Sequence, residues 1–80
     1  MNDIQDRVID ILSSQLGVSV GDITLEKNIT TDLNADSLDI YEIVIELEEE
    51  FKVVIEDDVI DTLKTVNDIV LLVQKLLGDK

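Results

Sequence analysis

Histidine, cysteine, proline and tryptophan are all absent from this 80-residue chain. Without histidine or cysteine, no Ser-His-Asp or Cys-His nucleophile can be assembled. A His/Cys zinc or haem site is excluded on the same ground, and no disulfide can staple the fold. Basic residues are scarce, with 6 Lys and Arg against 19 Asp and Glu, a formal net charge of -13. Such a chain repels phosphates and has few cations to displace their counterions, which argues against autonomous nucleic-acid binding. No basic segment precedes an apolar stretch at the N-terminus, so no signal peptide is expected. No apolar run approaches the ~20 residues of a membrane span. A cytoplasmic setting without membrane insertion is the expectation.

What is present is aliphatic. The apolar fraction is 45%, mostly Ile, Val and Leu, enough to distinguish the chain from a disordered acidic tail. The length suits a single domain over 1–80. Such a domain buries only about 60% of its unfolded surface, and self-repulsion weakens it further.

Helical spacing is the recurring pattern. Ile4, Val8, Ile11, Leu12 and Leu16 predict a helix from about Asp3, its cap, to Leu16, ended by Gly17. Residues 17–35 show no helical period. Their scattered Val18, Val20, Ile23, Leu25, Ile29 and Leu33 predict a long loop pinned to the core, an unusual feature in a small domain. A second helix is expected from Asp36 or Ser37 to Phe51, with Asp36 and Asp39 spaced as a capping box. Its core stripe is Ile40, Ile43, Val44, Leu47 and Phe51. Residues 52–55 read as a connection, and 56–63 as a short helix with Val59, Ile60 and Leu63 inward. Thr65 and Asp68 predict the start of a last helix over 66–77, with a stripe of Ile69, Val70, Val73, Leu76 and Leu77. The expected fold class is all-α, a four-helix bundle of three longer helices and one short one with a long first loop.

The acidic residues are the obvious candidates for chemistry. A catalytic carboxylate pair needs a cleft that separates their pKa values, and most of these residues read instead as a solvated face. Asp32, Asn34 and Asp36 match the first ligands of a calcium loop, but Ser37 and Ile43 stand where Gly and the bidentate Glu are needed. No metal site is expected, although weak divalent-cation binding stays open. Ser37 follows the helix cap, where exposed N–H groups favour a phosphate and the neighbouring Asp36 and Asp39 oppose one. Position alone reads Ser37 as simply opening a helix. A second apolar set on that helix, Leu38, Tyr41 and Ile45, lies away from the core stripe among Glu42, Glu48 and Glu49. It reads either as a docking strip or as packing under the 17–35 loop.

These residues carry a resemblance. Asp32-Leu33-Asn34-Ala35-Asp36-Ser37-Leu38-Asp39, followed by Glu42 and by Glu46-Leu47-Glu48-Glu49-Glu50-Phe51, is similar to the acyl carrier proteins of dissociated fatty acid synthesis. The likeness extends over essentially the whole chain, through Lys64-Thr65-Val66. It implies a carrier rather than an enzyme, with Ser37 esterified by 4′-phosphopantetheine taken from coenzyme A by a Mg²⁺-dependent transferase. The serine oxygen would attack the pyrophosphate to give a phosphodiester, and the arm's thiol would carry acyl groups as thioesters. The resemblance also implies a partner-binding helix of Asp36, Leu38, Asp39, Tyr41, Glu42, Ile45, Glu48 and Glu49. This helix would meet basic patches on fatty acid synthesis enzymes. An acyl pocket of Leu47, Ile55, Ile60, Leu63 and Ile69 follows, in a monomer. The sequence departs from the family at Asn34, Tyr41, Val54, Glu56, Ile60 and Asn67, which leaves a polyketide or other specialised acyl pathway open. The alternative of another class is an unmodified acidic helical protein that binds divalent cations or regulates.

Overall fold

The computed structural model describes residues 3–78. Helix α1 spans Asp3–Leu16, α2 Ser37–Phe51, α3 Asp57–Ile60 and α4 Val66–Leu76, with a single 3₁₀ turn at Val20–Asp22. Among the described residues no extended strand forms. Among the described residues no helix is long and apolar enough to cross a membrane.

Helix α1 occupies the predicted span, although the side chain of Asp3, its expected cap, lies outside the described residues. Val8 and Leu12 are fully buried, as their spacing implies, and Ile9 joins them. Ile4, Ile11 and Leu16 are half-buried at the edge of the core. Gly17 closes the helix in the left-handed region at φ 69°, donating its N–H to the Ser13 carbonyl at 2.9 Å. At such a φ a side chain is strained, so glycine belongs there.

The 17–35 segment is pinned to the core as expected. Ile23, Ile29, Leu33 and Ala35 are buried, and Val18 and Leu25 pack against them. Val20 departs from the expectation. It sits in the 3₁₀ turn and is 50% exposed, because that turn points its side chain to solvent.

Asn28 organises the rest of this loop. Its Oδ1 accepts from the N–H groups of Thr30 and Thr31, both at 2.9 Å. Its own N–H donates to Asp32 Oδ2 at 2.8 Å, and its carbonyl accepts from Asp32 and Leu33. The same stretch is stitched to the start of α4. Ile29 N donates to the Lys64 carbonyl, Val66 N to Lys27, and Asn67 N to Leu25, around an isolated bridge between Asn28 and Thr65. Backbone groups of an irregular segment must find partners when half-buried, and here they find them in each other.

Helices α2 and α4 both begin with a full capping box. Asp36 Oδ1 accepts from Asp39 N at 2.9 Å, and Asp39 Oδ2 from Asp36 N at 3.2 Å. Thr65 and Asp68 repeat the arrangement, and Asp68 Oδ2 also accepts from Lys64 N at 3.0 Å. The N–H of Thr65, with that of Lys64, holds the Asp68 carboxyl below the usual carboxylate range. A depressed folded-state value contributes stability that is present above the unfolded-state value. It is lost as pH falls through the folded one. Acid titration should therefore destabilise the wild type more than Asp68→Asn, whose amide oxygen still accepts these bonds without titrating. Paired thermal melts between pH 7 and pH 2 measure this. Parallel curves would exclude the effect.

Two helix ends differ from expectation. Helix α3 is shorter than the predicted 56–63 span. After Ile60 the chain tightens into i→i+3 bonds, Thr62 N to Val59 O and Leu63 N to Ile60 O, and the Thr62 hydroxyl donates to the Val59 carbonyl. A hydroxyl that competes for a helical carbonyl is a common way for a short helix to stop. Ile60 and Leu63 are still buried, while Val59 is half-buried. At α4, Val66, Ile69, Val70 and Val73 are buried, but Leu76 and Leu77 are 39% and 43% exposed. The last turn runs past the buried layer. Leu76 instead joins Val54, Ile55, Val59 and Leu72 along a shallow apolar groove.

Arg7 ties α1 to the far end of α2. Its Nε donates to Glu50 Oε2 at 2.7 Å, its Nη2 to the Glu50 carbonyl at 3.2 Å, and its guanidinium lies 4.6 Å over the Phe51 ring. Beyond Phe51, Lys52 ends the helix at φ 58°. A left-handed backbone costs a side-chain-bearing residue roughly 1–2 kcal/mol, and glycine recovers part of this against its own unfolded-state entropy. Lys52→Gly should raise Tm by about 2–8 °C, for a gain of ~0.5–1 kcal/mol. A thermal melt with no rise would show that the strain is relieved otherwise.

Candidate functional site

The site is built on the first turn of α2. The chain reaches it through Asn34, which takes a left-handed backbone at φ 62°, a conformation Asn tolerates better than most residues. Ala35 follows, buried, with its N–H donated to the Ile29 carbonyl at 3.0 Å. Asp36 is extended, at φ −98° and ψ −175°, and its carboxylate is committed to the capping box. Ser37 is then the first helical residue. It is exposed, and its hydroxyl enters no hydrogen bond among the described residues.

Ser37 sits at the rim of an open cleft of about 210 Å³. Ile40 and Tyr41 of α2 line one side. Ile60, Asp61, Leu63 and Lys64 line the other, with Thr30 from the long loop. The cleft thus joins an exposed hydroxyl to a mixed lining, in which Ile40, Ile60 and Leu63 alternate with polar and charged side chains. Ile40, expected in the core stripe, is half-buried and lines this cleft. Thr30, Asp61 and Lys64 were not among the sequence candidates. Thr30 and Lys64 reach the cleft from the long loop and from the turn before α4, where the local sequence carries no periodic signal, and Asp61 from the C-cap of α3.

The residues expected to form an acyl pocket are all buried, but they are not all brought together at one opening. Ile60 and Leu63 line the Ser37 cleft. Ile55 lines the second groove, with Val54, Val59 and Leu72. Leu47 and Ile69 lie in the closed core, at 0% and 2% exposure.

The second apolar set of α2 faces solvent. Leu38 is 72% exposed, Tyr41 49% and Ile45 53%. Packing under the 17–35 loop is therefore not their arrangement. That loop fills the core with its own Ile23, Ile29, Leu33 and Ala35. Glu42 and Glu49 are exposed beside the strip, and Glu42 Oε1 accepts from Gln15 Nε2 of α1. Glu48 is half-buried, and its Oε2 accepts from the Ile55 N–H at 2.8 Å. Its carboxylate thus holds the loop between α2 and α3.

The calcium-like spacing does not form a cage. Asp32 binds the Asn28 N–H, Asp36 caps α2, and Asn34 turns the chain. Among the described residues, no group of three or more acidic side chains converges to hold a metal ion.

The comparisons agree with this geometry. The family model for the phosphopantetheine attachment site matches residues 6–73. An acyl carrier protein of Amoebophilus asiaticus is 40% identical over 80 residues, covering all of both chains. One from Syntrophobacter fumaroxidans is 47% identical over 66 residues, covering 82% of each. The crystal structure of an acyl carrier protein from Thermotoga maritima superposes with a TM-score of 0.78 at 29% identity, over 90% of this chain and 84% of that one. A chain matched so fully by sequence and by fold, with an exposed serine on the first turn of a helix at the rim of a cleft, belongs to the acyl carrier proteins, whose cofactor is 4′-phosphopantetheine.

Proposed function

We propose that this chain carries growing fatty acyl groups, as thioesters on a 4′-phosphopantetheine arm joined to Ser37, among the enzymes of fatty acid synthesis. One observation carries the reading: the Ser37 hydroxyl is exposed, makes no hydrogen bond among the described residues, and stands at the rim of a cleft lined in part by Ile40, Ile60 and Leu63. These residues fit the group. An attached arm needs an accessible oxygen and space beside it with polar and apolar contacts, and this cleft offers them.

The chain's own part is positional. The Asp36–Asp39 box fixes the first turn of α2 and so fixes where the Ser37 oxygen stands. No histidine is available to take the serine proton, and the Asp36 and Asp39 carboxylates are engaged in the capping box, so the base is assigned to the transferase. No cysteine is available either. The arm, when bound, supplies the thiol on which acyl groups are carried. Ile60 and Leu63 at the cleft offer the acyl chain its first apolar contacts, and an opening toward the buried Leu47 and Ile69 would extend them.

The docking surface is assigned to the exposed Leu38, Tyr41 and Ile45, with Asp36, Asp39, Glu42, Glu48 and Glu49 around them. Apolar residues within a charged rim are the usual anatomy of an interface. The partners are a phosphopantetheinyl transferase and synthesis enzymes that present basic patches. A monomer working in the cytoplasm completes the reading.

The test is intact-mass measurement after incubation with coenzyme A, Mg²⁺ and a phosphopantetheinyl transferase. The wild type should gain about 340 Da, the mass of one arm. Ser37→Ala should gain nothing, with an unchanged circular dichroism spectrum because the side chain is exposed. Absence of any gain in the wild type would instead favour an unmodified acidic helical protein.

A further inference from the structure

The cleft beside Ser37 contains one basic side chain, Lys64. The setting is unusual in a chain of net charge -13. Lys64 sits at the seam between the long loop and α4, and its backbone is held on both sides. Its N–H donates to Asp68 Oδ2 at 3.0 Å, and its carbonyl accepts from Ile29 N at 2.9 Å. The side chain therefore leaves the fold from a fixed point. The described residues contain one ion pair, between Arg7 and Glu50. Among the described residues no carboxylate lies within ion-pair distance of the Lys64 ammonium, although its charge acts on Asp68 from farther away and Asp61 lines the same cleft.

A group attached at Ser37 through phosphate would place an anion at this rim. Asp36 and Asp39 stand next to it in sequence and repel it, but their carboxylates are already bonded to backbone N–H groups. The remaining electrostatic need is a cation on the opposite wall, and Lys64 is there. We propose that the Lys64 ammonium pairs with the phosphodiester of the attached arm and draws it toward the α3 side of the cleft, over Ile60 and Leu63. Lys64 is in this sense a positioning residue for the arm, and its role rests on attachment at Ser37.

The experiment compares apo and arm-bearing wild-type protein by lysine footprinting. A water-soluble amine-acylating reagent is used at low salt, and peptide mass spectrometry reads each lysine. Intact mass first establishes that the arm is present. Labelling of Lys64 should then slow by about two- to fivefold on loading, the range that an exposed charge-assisted contact supports. Lys27, Lys52 and Lys75 serve as internal references and should not change. The protection should fade at high salt. In the loaded protein, Lys64→Gln should move the ³¹P resonance of the phosphodiester, and Lys64→Arg should largely preserve it. If the arm is present but Lys64 is protected no more than the reference lysines, and ³¹P is unmoved in Lys64→Gln, the pairing is overturned while the attachment stands. If no arm can be added, the attachment itself fails and the pairing fails with it.

Discussion

Leu47→Ala should cost about 2–5 kcal/mol, the range for deleting a fully buried leucine with partial collapse of the cavity. Leu47 is 0% exposed at the centre of α2. A domain of this size has on the order of 4–12 kcal/mol in total, so the variant should lose a large fraction of its stability. Its Tm should fall by roughly 10 °C or more. Leu38→Ala removes the same atoms from the same helix, but Leu38 is 72% exposed. That change should stay within about 0.5 kcal/mol. Urea unfolding with a common m-value measures both. The pair also separates roles, because Leu38→Ala should weaken partner association while leaving the fold intact. Equal stability losses at both positions would mean that the apolar strip is structural, and the docking assignment would fail.

The second large effect is kinetic. Glu42 and Glu49 are exposed beside the strip; neither lies in the core, and Glu42 gives up an exposed side-chain bond from Gln15 that holds no backbone group. On the proposed docking face, reversing both to Lys replaces attraction to a basic partner surface by repulsion. Long-range steering changes association rates by about 10- to 1,000-fold, so the double variant should associate with its transferase at least about tenfold more slowly at low salt. Dissociation should change much less, because rim charges act chiefly on encounter. Above ~0.5 M salt the two proteins should converge, since the Debye length there is only a few ångströms. Stopped-flow association across a salt series gives the answer. An unchanged rate at low salt would remove α2 from the encounter. Glu48 is the wrong residue for this experiment. Its carboxylate holds the Ile55 N–H, so its reversal would disturb the α2–α3 loop as well as the field.

The residues differ in how openly they announced these roles. Both capping boxes could be read from their spacing, because a cap is a contact between residues three apart. The stripe of α2 was equally legible, since its period survives folding unchanged. The exposure of Leu38, Tyr41 and Ile45 was only half legible. Their position away from the core face could be counted, but whether the loop covered them depended on where Ile23, Ile29 and Leu33 went. The cleft was the least visible part. Ile60 and Leu63 read as inward, yet Thr30 and Lys64 come from segments without period, and their meeting depends on bonds between 25–29 and 64–67. Asn28 drew no reading from the sequence, and only its five hydrogen bonds, four from backbone N–H groups and one to the Asp32 carboxylate, reveal it as a hub. The truncation of α3 turned on one hydroxyl, that of Thr62, which helical periodicity does not weigh.

The seam between the long loop and the start of α4 bears on when the serine becomes recognisable. Ala35 is bonded to Ile29, and Ile29 in turn to Lys64, so the approach to Ser37 is anchored to residues synthesised well after it. A nascent chain that has reached the end of α2 already contains the whole Asp-Ser-Leu motif, yet lacks the strut that orders the approach to it and the far wall of its cleft. On the proposed attachment at Ser37, the surface a transferase would meet belongs to the finished tertiary structure and not to the local motif.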